Sequence, residues 1–131
     1  MEPIYSSYNS LVPQKKEYPV YEIQSLEDRE HLINISDFLV VEFYASWCSP
    51  CEKIIPEYGK LCMKYNKPSH GVYIVKENIE KNYGNISSKV SAVPCFQFWV
   101  SGEHVPELTI MGGNVENVDK TIFNVLQKLN K

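Results

Sequence analysis

VVEFYASWCSPCEKIIPEY, residues 40–58, joins three choices that are each locally unfavourable: a glutamate inside an apolar run, two cysteines three apart, and a proline inside a helical stretch. The run FLVVEFYA, residues 38–45, is too uniformly apolar for a strand with one wet face, and it predicts a buried, central strand. Beyond the cysteines Ile54, Tyr58, Leu61 and Tyr65 recur at helical spacing, and Ile55 and Cys62 widen that stripe. Cys48 and Cys51 therefore fall where a buried strand passes into a helix.

That position sets their chemistry. A helix N-terminus presents unpaired N–H groups and a partial positive charge, so a thiolate in the first turn is stabilised and becomes the nucleophile. With two residues between them the sulfurs are neighbours across one helical turn, close enough for a redox-active disulfide to form and open with little backbone movement. Cys48, at the mouth of the helix, is expected to attack, and Cys51, one turn in and more shielded, to resolve. Pro50 fits the first turn because the N–H it lacks would have no helical partner there. The competing use of such a pair is zinc. A structural zinc site wants four ligands, and His31, His70 and His104 are scattered singly, so no metal is expected.

Outward from this stretch, strands and helices alternate. YPVYEIQ, residues 18–24, reads as a strand, and SLEDREHLINI, residues 25–35, as a helix in which Ser25 and Asp28 have capping-box spacing. GVYIVKEN, residues 71–78, is a second central strand, and Ile79, Tyr83, Ile86 and Val90 predict a helix weakened by Gly84. CFQFWVSGEHVPELTIMGG, residues 95–113, predicts two strands around a turn at Ser101–Glu103, with Pro106 pushing the second to the sheet edge. Val115, Val118, Ile122, Leu126 and Leu129 form one face of a last helix. The order β-α-β-α-β-α-β-β-α is that of an α/β sandwich with a mixed sheet.

The 131 residues, 44% hydrophobic and 22% charged, suit one domain with a single core. A net charge of -3 without a basic block argues against nucleic acid or an anionic membrane as partner. No apolar run approaches the ~20 residues needed to cross a bilayer, and the N-terminal stretch lacks the apolar segment of a secretory signal. The chain is accordingly expected inside the cell, in the cytoplasm, where thiols rest mostly reduced. Residues 1–17 mix Ser, Tyr, Asn, Pro, Gln and Lys without a period and are expected to form a flexible arm ahead of a domain over 18–131.

VVEFYASWCSPC resembles the strand-to-active-site segment of the thioredoxin family, whose usual centre is WCGPC, and the resemblance extends over about residues 18–130. It implies the thioredoxin fold, a central mixed sheet with helices on both faces. SAVPCFQFW places Val93 and Pro94 where the family carries a cis-proline facing the cysteines, and Gly112 matches the glycine before its last helix. With Trp47 these residues are implied to line the substrate groove, where backbone beside Pro94 can pair with a bound peptide. Pro56 matches the proline that bends the active-site helix.

Alternation puts Phe38, Val40, Glu42 and Tyr44 on one face, so Glu42 is a carboxyl in an apolar setting. Burial raises its pKa and suits it to proton transfer, and the family places an acid here, behind the resolving cysteine. The competing reading is a structural carboxylate paired with Lys76, which matches a lysine position of the family.

Ser49 in place of glycine, Glu52 where lysine is common, and Cys95 directly after Pro94 depart from the usual pattern. Cys95 is expected near the active-site pair, as an accessory third thiol or as a small buried residue; Cys62 is expected in the core. The resulting expectation is a protein-disulfide reductase acting on disulfide-bonded proteins as a monomer. It would carry no cofactor and would be recharged by a separate thioredoxin-reductase-like donor, since no dinucleotide-binding motif is present. Two further readings fit the residues: a disulfide oxidase or isomerase, and a thioredoxin-fold binding module that uses the groove beside Pro94.

Overall fold

The sheet is built around β2 (Phe38–Tyr44), with β3 (Val72–Asn78) parallel on one side and β4 (Cys95–Val100) antiparallel on the other. β1 (Tyr21–Glu22) adds in parallel outside β3, and β5 (Glu103–His104) and β6 (Ile110–Met111) both add antiparallel to β4. Among the described residues four α-helices accompany the sheet: α1 (Leu26–Ile35), α2 (Ser49–Lys53), α3 (Ile55–Tyr65) and α4 (Val115–Lys128). The computed structural model describes residues 19–84 and 90–131. The arm expected over 1–17 therefore lies outside the described residues, as does Ile86.

The strand alternation sorts the core into two layers. Phe38 and Val40 of β2, Ile74 of β3, and Phe96 and Phe98 of β4 pack against Tyr58 and Leu61 of α3 and Val118 and Ile122 of α4. Leu39, Val41 and Phe43 face the other way, toward Leu32 of α1, with Val75, Cys95 and Trp99. Burying a Phe, Leu or Val side chain stabilises by roughly 1.5–3 kcal/mol. A carboxyl at position 42 forgoes that gain, so its placement calls for a chemical reason.

α1 begins as its sequence predicts, with Ser25 Oγ accepting the Asp28 N–H at 3.0 Å. The return bond falls one residue early: Asp28 Oδ2 accepts the Gln24 N–H at 2.8 Å, together with the Tyr21 hydroxyl at 2.6 Å. The hairpin turn expected at residues 101–103 is a two-residue turn, Ser101 and Gly102, with φ of 52° and 83°.

Three expectations need correction. The helix expected through Ile79, Tyr83, Ile86 and Val90 does not begin at Ile79: a single 3-10 turn at Ile79–Lys81 stands there, and residues 85–89 lie outside the described residues. Asn78 caps the 3-10 turn by accepting the Glu80 N–H, and left-handed Asn82 (φ 53°) and Gly84 (φ 78°) follow that turn. The strand after the hairpin is split, because the 3-10 turn Pro106–Leu108 interrupts it; β5 pairs with the C-terminal end of β4 and β6 with its N-terminal end. A third difference concerns α3, where Ile54, Tyr58, Leu61 and Cys62 are buried while Ile55 is 54% exposed and stands outside the stripe.

Candidate active site

β2 ends at Tyr44, and the next residues form a turn closed by the Cys48 N–H on the Ala45 carbonyl at 3.2 Å. Cys48 is the N-cap of α2, and its sulfur lies 3.1 Å from the Cys51 backbone N–H that points at it. Cys48 and Cys51 are joined as a disulfide with Cα atoms 5.3 Å apart, and both are nearly buried. Trp47, beside them, is 70% exposed. α2 is short because a helix running on to Pro56 would set the proline ring against the Glu52 carbonyl four residues earlier. The backbone instead turns at Ile54, and α3 starts afresh with Pro56 in its first turn.

The segment before β4 meets this turn from the side. The Val93–Pro94 peptide is cis, and the Val93 carbonyl oxygen is 3.6 Å from Cys48 Sγ. The Pro94 carbonyl accepts the Gly112 N–H at 2.8 Å, which extends the β4–β6 pairing to the groove. Gly112 has φ of 88°, a left-handed conformation, yet an added Cβ would meet nothing within 4 Å. The backbone angle, and not lack of room, is what asks for glycine there. Cys48, Cys51, Trp47, Val93, Pro94 and Gly112 thus come together at one end of the sheet.

Glu42 lies beneath them, 5% exposed, at a cavity of about 130 Å³ that also reaches Cys51, Tyr58, Ile55 and Lys76. Burial pushes its carboxyl up to about 7, against the opposing pull of the Lys76 ammonium. Lys76 is the register partner of Glu42 across β2 and β3, and its Nζ stands over the Tyr44 ring at 5.4 Å. The Lys76 charge therefore tempers the carboxyl from a distance while its head group rests on an aromatic face.

Cys95 follows Pro94 directly, yet alternation turns it to the opposite layer, opposite Phe43 in the sheet and among Leu39, Val41 and Trp99. It is 2% exposed, and burial pushes its thiol up. Cys62 is buried on α3 with its sulfur 3.4 Å from the Ile74 carbonyl, and burial raises its thiol as well.

Three residues were not anticipated, one at the site and two on the other face of the sheet. Glu80 Oε1 accepts the Ser46 N–H at 2.7 Å and so touches the turn that carries Trp47 and Cys48. That bond holds the Glu80 carboxyl below its ordinary range. Arg29 and Glu77 form a buried ion pair on the α1 side of the sheet. Alternation along VYIVKEN sets Glu77 on the face of Val75, and Arg29 lies three residues from both Leu26 and Leu32, so opposite charges on two apolar faces were the available signal.

A family model described as Thioredoxin matches residues 20–124. A thioredoxin of Neurospora crassa is 29% identical over 103 residues, covering 76% of this chain and 80% of that protein. A thioredoxin of Rattus norvegicus is 34% identical over 84 residues, covering 64% and 75%. Among solved structures, oxidised mitochondrial thioredoxin 3 of Saccharomyces cerevisiae superposes with a TM-score of 0.69 at 30% identity, covering 80% of this chain and 94% of that one.

Proposed function

Because this chain belongs to the thioredoxin family and is a thiol–disulfide oxidoreductase working through Cys48 and Cys51, we propose a division of labour among its site residues. Cys48 thiolate attacks one sulfur of a substrate disulfide, forming the Cys48 mixed disulfide and releasing the other substrate sulfur as a thiolate. Cys51 then loses its proton to the Glu42 carboxylate and attacks Cys48 Sγ, which forms the Cys48–Cys51 disulfide and releases the second substrate sulfur as a thiolate that takes its proton from solvent. Two electrons pass from the dithiol to the substrate.

The observation that carries this reading is the Cys51 N–H aimed at Cys48 Sγ at a helix N-cap. It stabilises negative charge on Cys48 and not on Cys51. Glu42 supports the second step, since a carboxyl near 7 is about half ionised at neutral pH and can both take and release a proton. The cavity of about 130 Å³ beside it has room for water between carboxyl and thiol.

Trp47, Val93, Pro94 and Gly112 wall the groove for the substrate segment, whose backbone pairs beside the Val93–Pro94 peptide. The family implies disulfide substrates and a reductase donor in general. We assign this chain a thioredoxin-reductase-like donor, protein substrates, neither nucleic acid nor membrane as partner, and action as a monomer in the reducing cytoplasm. No helix among the described residues is long and apolar enough to cross a membrane.

The test is reduction of insulin with dithiothreitol as electron donor, comparing wild type with Cys48→Ser. Wild type is expected to turn over and Cys48→Ser to fall to the uncatalysed rate; equal rates would overturn the assignment.

A further inference from the structure

On the sheet face away from Glu42, Arg29 of α1 and Glu77 of β3 are 2% and 0% exposed. Their pairing is bidentate, Nε to Oε1 at 2.8 Å and Nη2 to Oε2 at 2.9 Å. Burying such a pair costs about as much as the attraction returns, and apolar replacements of the same size are often no less stable. Stability alone is therefore a weak reason for placing two charges among Leu39, Val41 and Phe43.

A second contact gives a better one. The same Arg29 Nη2 donates to the Tyr83 carbonyl oxygen. The chain between β3 and Tyr83 is consequently held at both ends. At its start the Asn78 side chain accepts the Glu80 N–H at 2.9 Å, and at its end Arg29 holds Tyr83. From the middle of this braced segment the Glu80 carboxylate reaches out to the Ser46 N–H at 2.7 Å. Ser46 is the first central residue of the turn closed by Cys48 N–H on Ala45, and that turn carries both Trp47 and Cys48.

We propose that the Arg29–Glu77 pair is a positioning device for the redox turn: by holding the Tyr83 carbonyl it braces the segment whose Glu80 fixes Ser46, and so the orientation in which Cys48 and Trp47 meet a substrate. Neither Arg29 nor Glu77 touches the reacting sulfurs; both act through Glu80. The inference rests on Cys48 being the attacking residue, and its test includes a readout that needs no turnover.

The full-length chain is compared as wild type, Glu80→Ala, Glu80→Gln, the double variant Arg29→Met/Glu77→Met, and the double variant carrying Glu80→Ala in addition. The double variant is chosen because Arg29→Met alone would strand a buried carboxylate and endanger folding. In insulin reduction, Glu80→Ala and the double variant are each expected to lower kcat/KM about tenfold, as small misplacements of reacting groups do. Glu80→Gln keeps an acceptor for Ser46 and should stay within about twofold of wild type, as should the triple variant relative to the double. Losses that multiply in the triple variant would show that Arg29 and Glu77 act independently of Glu80, and the proposal falls; so it does if Glu80→Ala is as active as wild type. The Ser46 amide is read in parallel by NMR solvent exchange on the disulfide form. It should lose protection in Glu80→Ala and in the double variant, and keep it in Glu80→Gln. An unchanged Ser46 amide in the double variant overturns the proposal even if insulin is not a substrate, whereas failure of wild type to reduce insulin would tell against the exchange reading alone.

Discussion

Replacing Glu42 by glutamine removes a titration that couples folding to pH. The native carboxyl keeps its proton up to about pH 7, whereas the unfolded chain releases it near 4.5. Between those values the folded state binds more protons than the unfolded state, so wild-type stability falls as pH rises through the window. From 4.5 to about 7, at roughly 1.36 kcal/mol for each pH unit, the window amounts to about 3 kcal/mol. At 5% exposure solvent screens little of this cost. The assay is urea unfolding of the disulfide form of wild type and Glu42→Gln at intervals from pH 4 to 8.5, with the m-value checked for constancy. Other groups titrate in both proteins and cancel. The stability of Glu42→Gln relative to wild type should climb by about 3 kcal/mol between pH 4.5 and 7 and then level off. A difference that stays flat, or that moves against Glu42→Gln as pH rises, would refute the buried, proton-holding carboxyl.

Removing the opposing charge by Lys76→Met should raise the Glu42 carboxyl further, visible as a rise in its midpoint when Glu42 is followed by carboxyl-carbon NMR; a lower midpoint would contradict the arrangement. Gly112→Ala should destabilise the fold by about 1–2 kcal/mol through backbone strain at φ 88° although no atom stands in the way of the new Cβ, and equal stability in thermal unfolding would refute this. Native disulfide-form protein treated with iodoacetamide should remain unmodified at Cys62 and Cys95, both buried with raised thiols, and mass mapping after mild oxidation should find the Cys48–Cys51 link alone.

The active-site end of this fold was legible because its physics is local or strictly periodic. A seven-residue apolar strand announces a central position, period two fixes which way Glu42 faces, and two cysteines at a strand-to-helix junction define their own geometry. Pro56 also acts locally, through its own ring. The same alternation that places Glu42 under the cysteines sends Cys95 to the other layer, so adjacency to Pro94 in sequence did not translate into facing the pair.

What escaped is tertiary. Ile79 and Tyr83 carry helical spacing, but Asn78 caps a single 3-10 turn, Asn82 goes left-handed, and the Tyr83 carbonyl accepts from Arg29 of α1. The edge strand failed for a nearby reason: Pro106 removes a ladder donor, and the chain answers with a 3-10 turn that divides the pairing into two short pieces. Arg29 and Glu77 did not stand out in the sequence because the partner that explains each lies 48 positions away. Glu80 and Ser46, 34 apart, are joined for the same kind of reason.

The most direct measurement on the central claim is covalent capture with Cys51→Ser. Without the resolving thiol the reaction should stop at the first step, so incubating the reduced variant with insulin should yield a one-to-one adduct whose mixed disulfide maps to Cys48. No adduct, or an adduct at Cys62 or Cys95 with Cys48 free, would contradict the account.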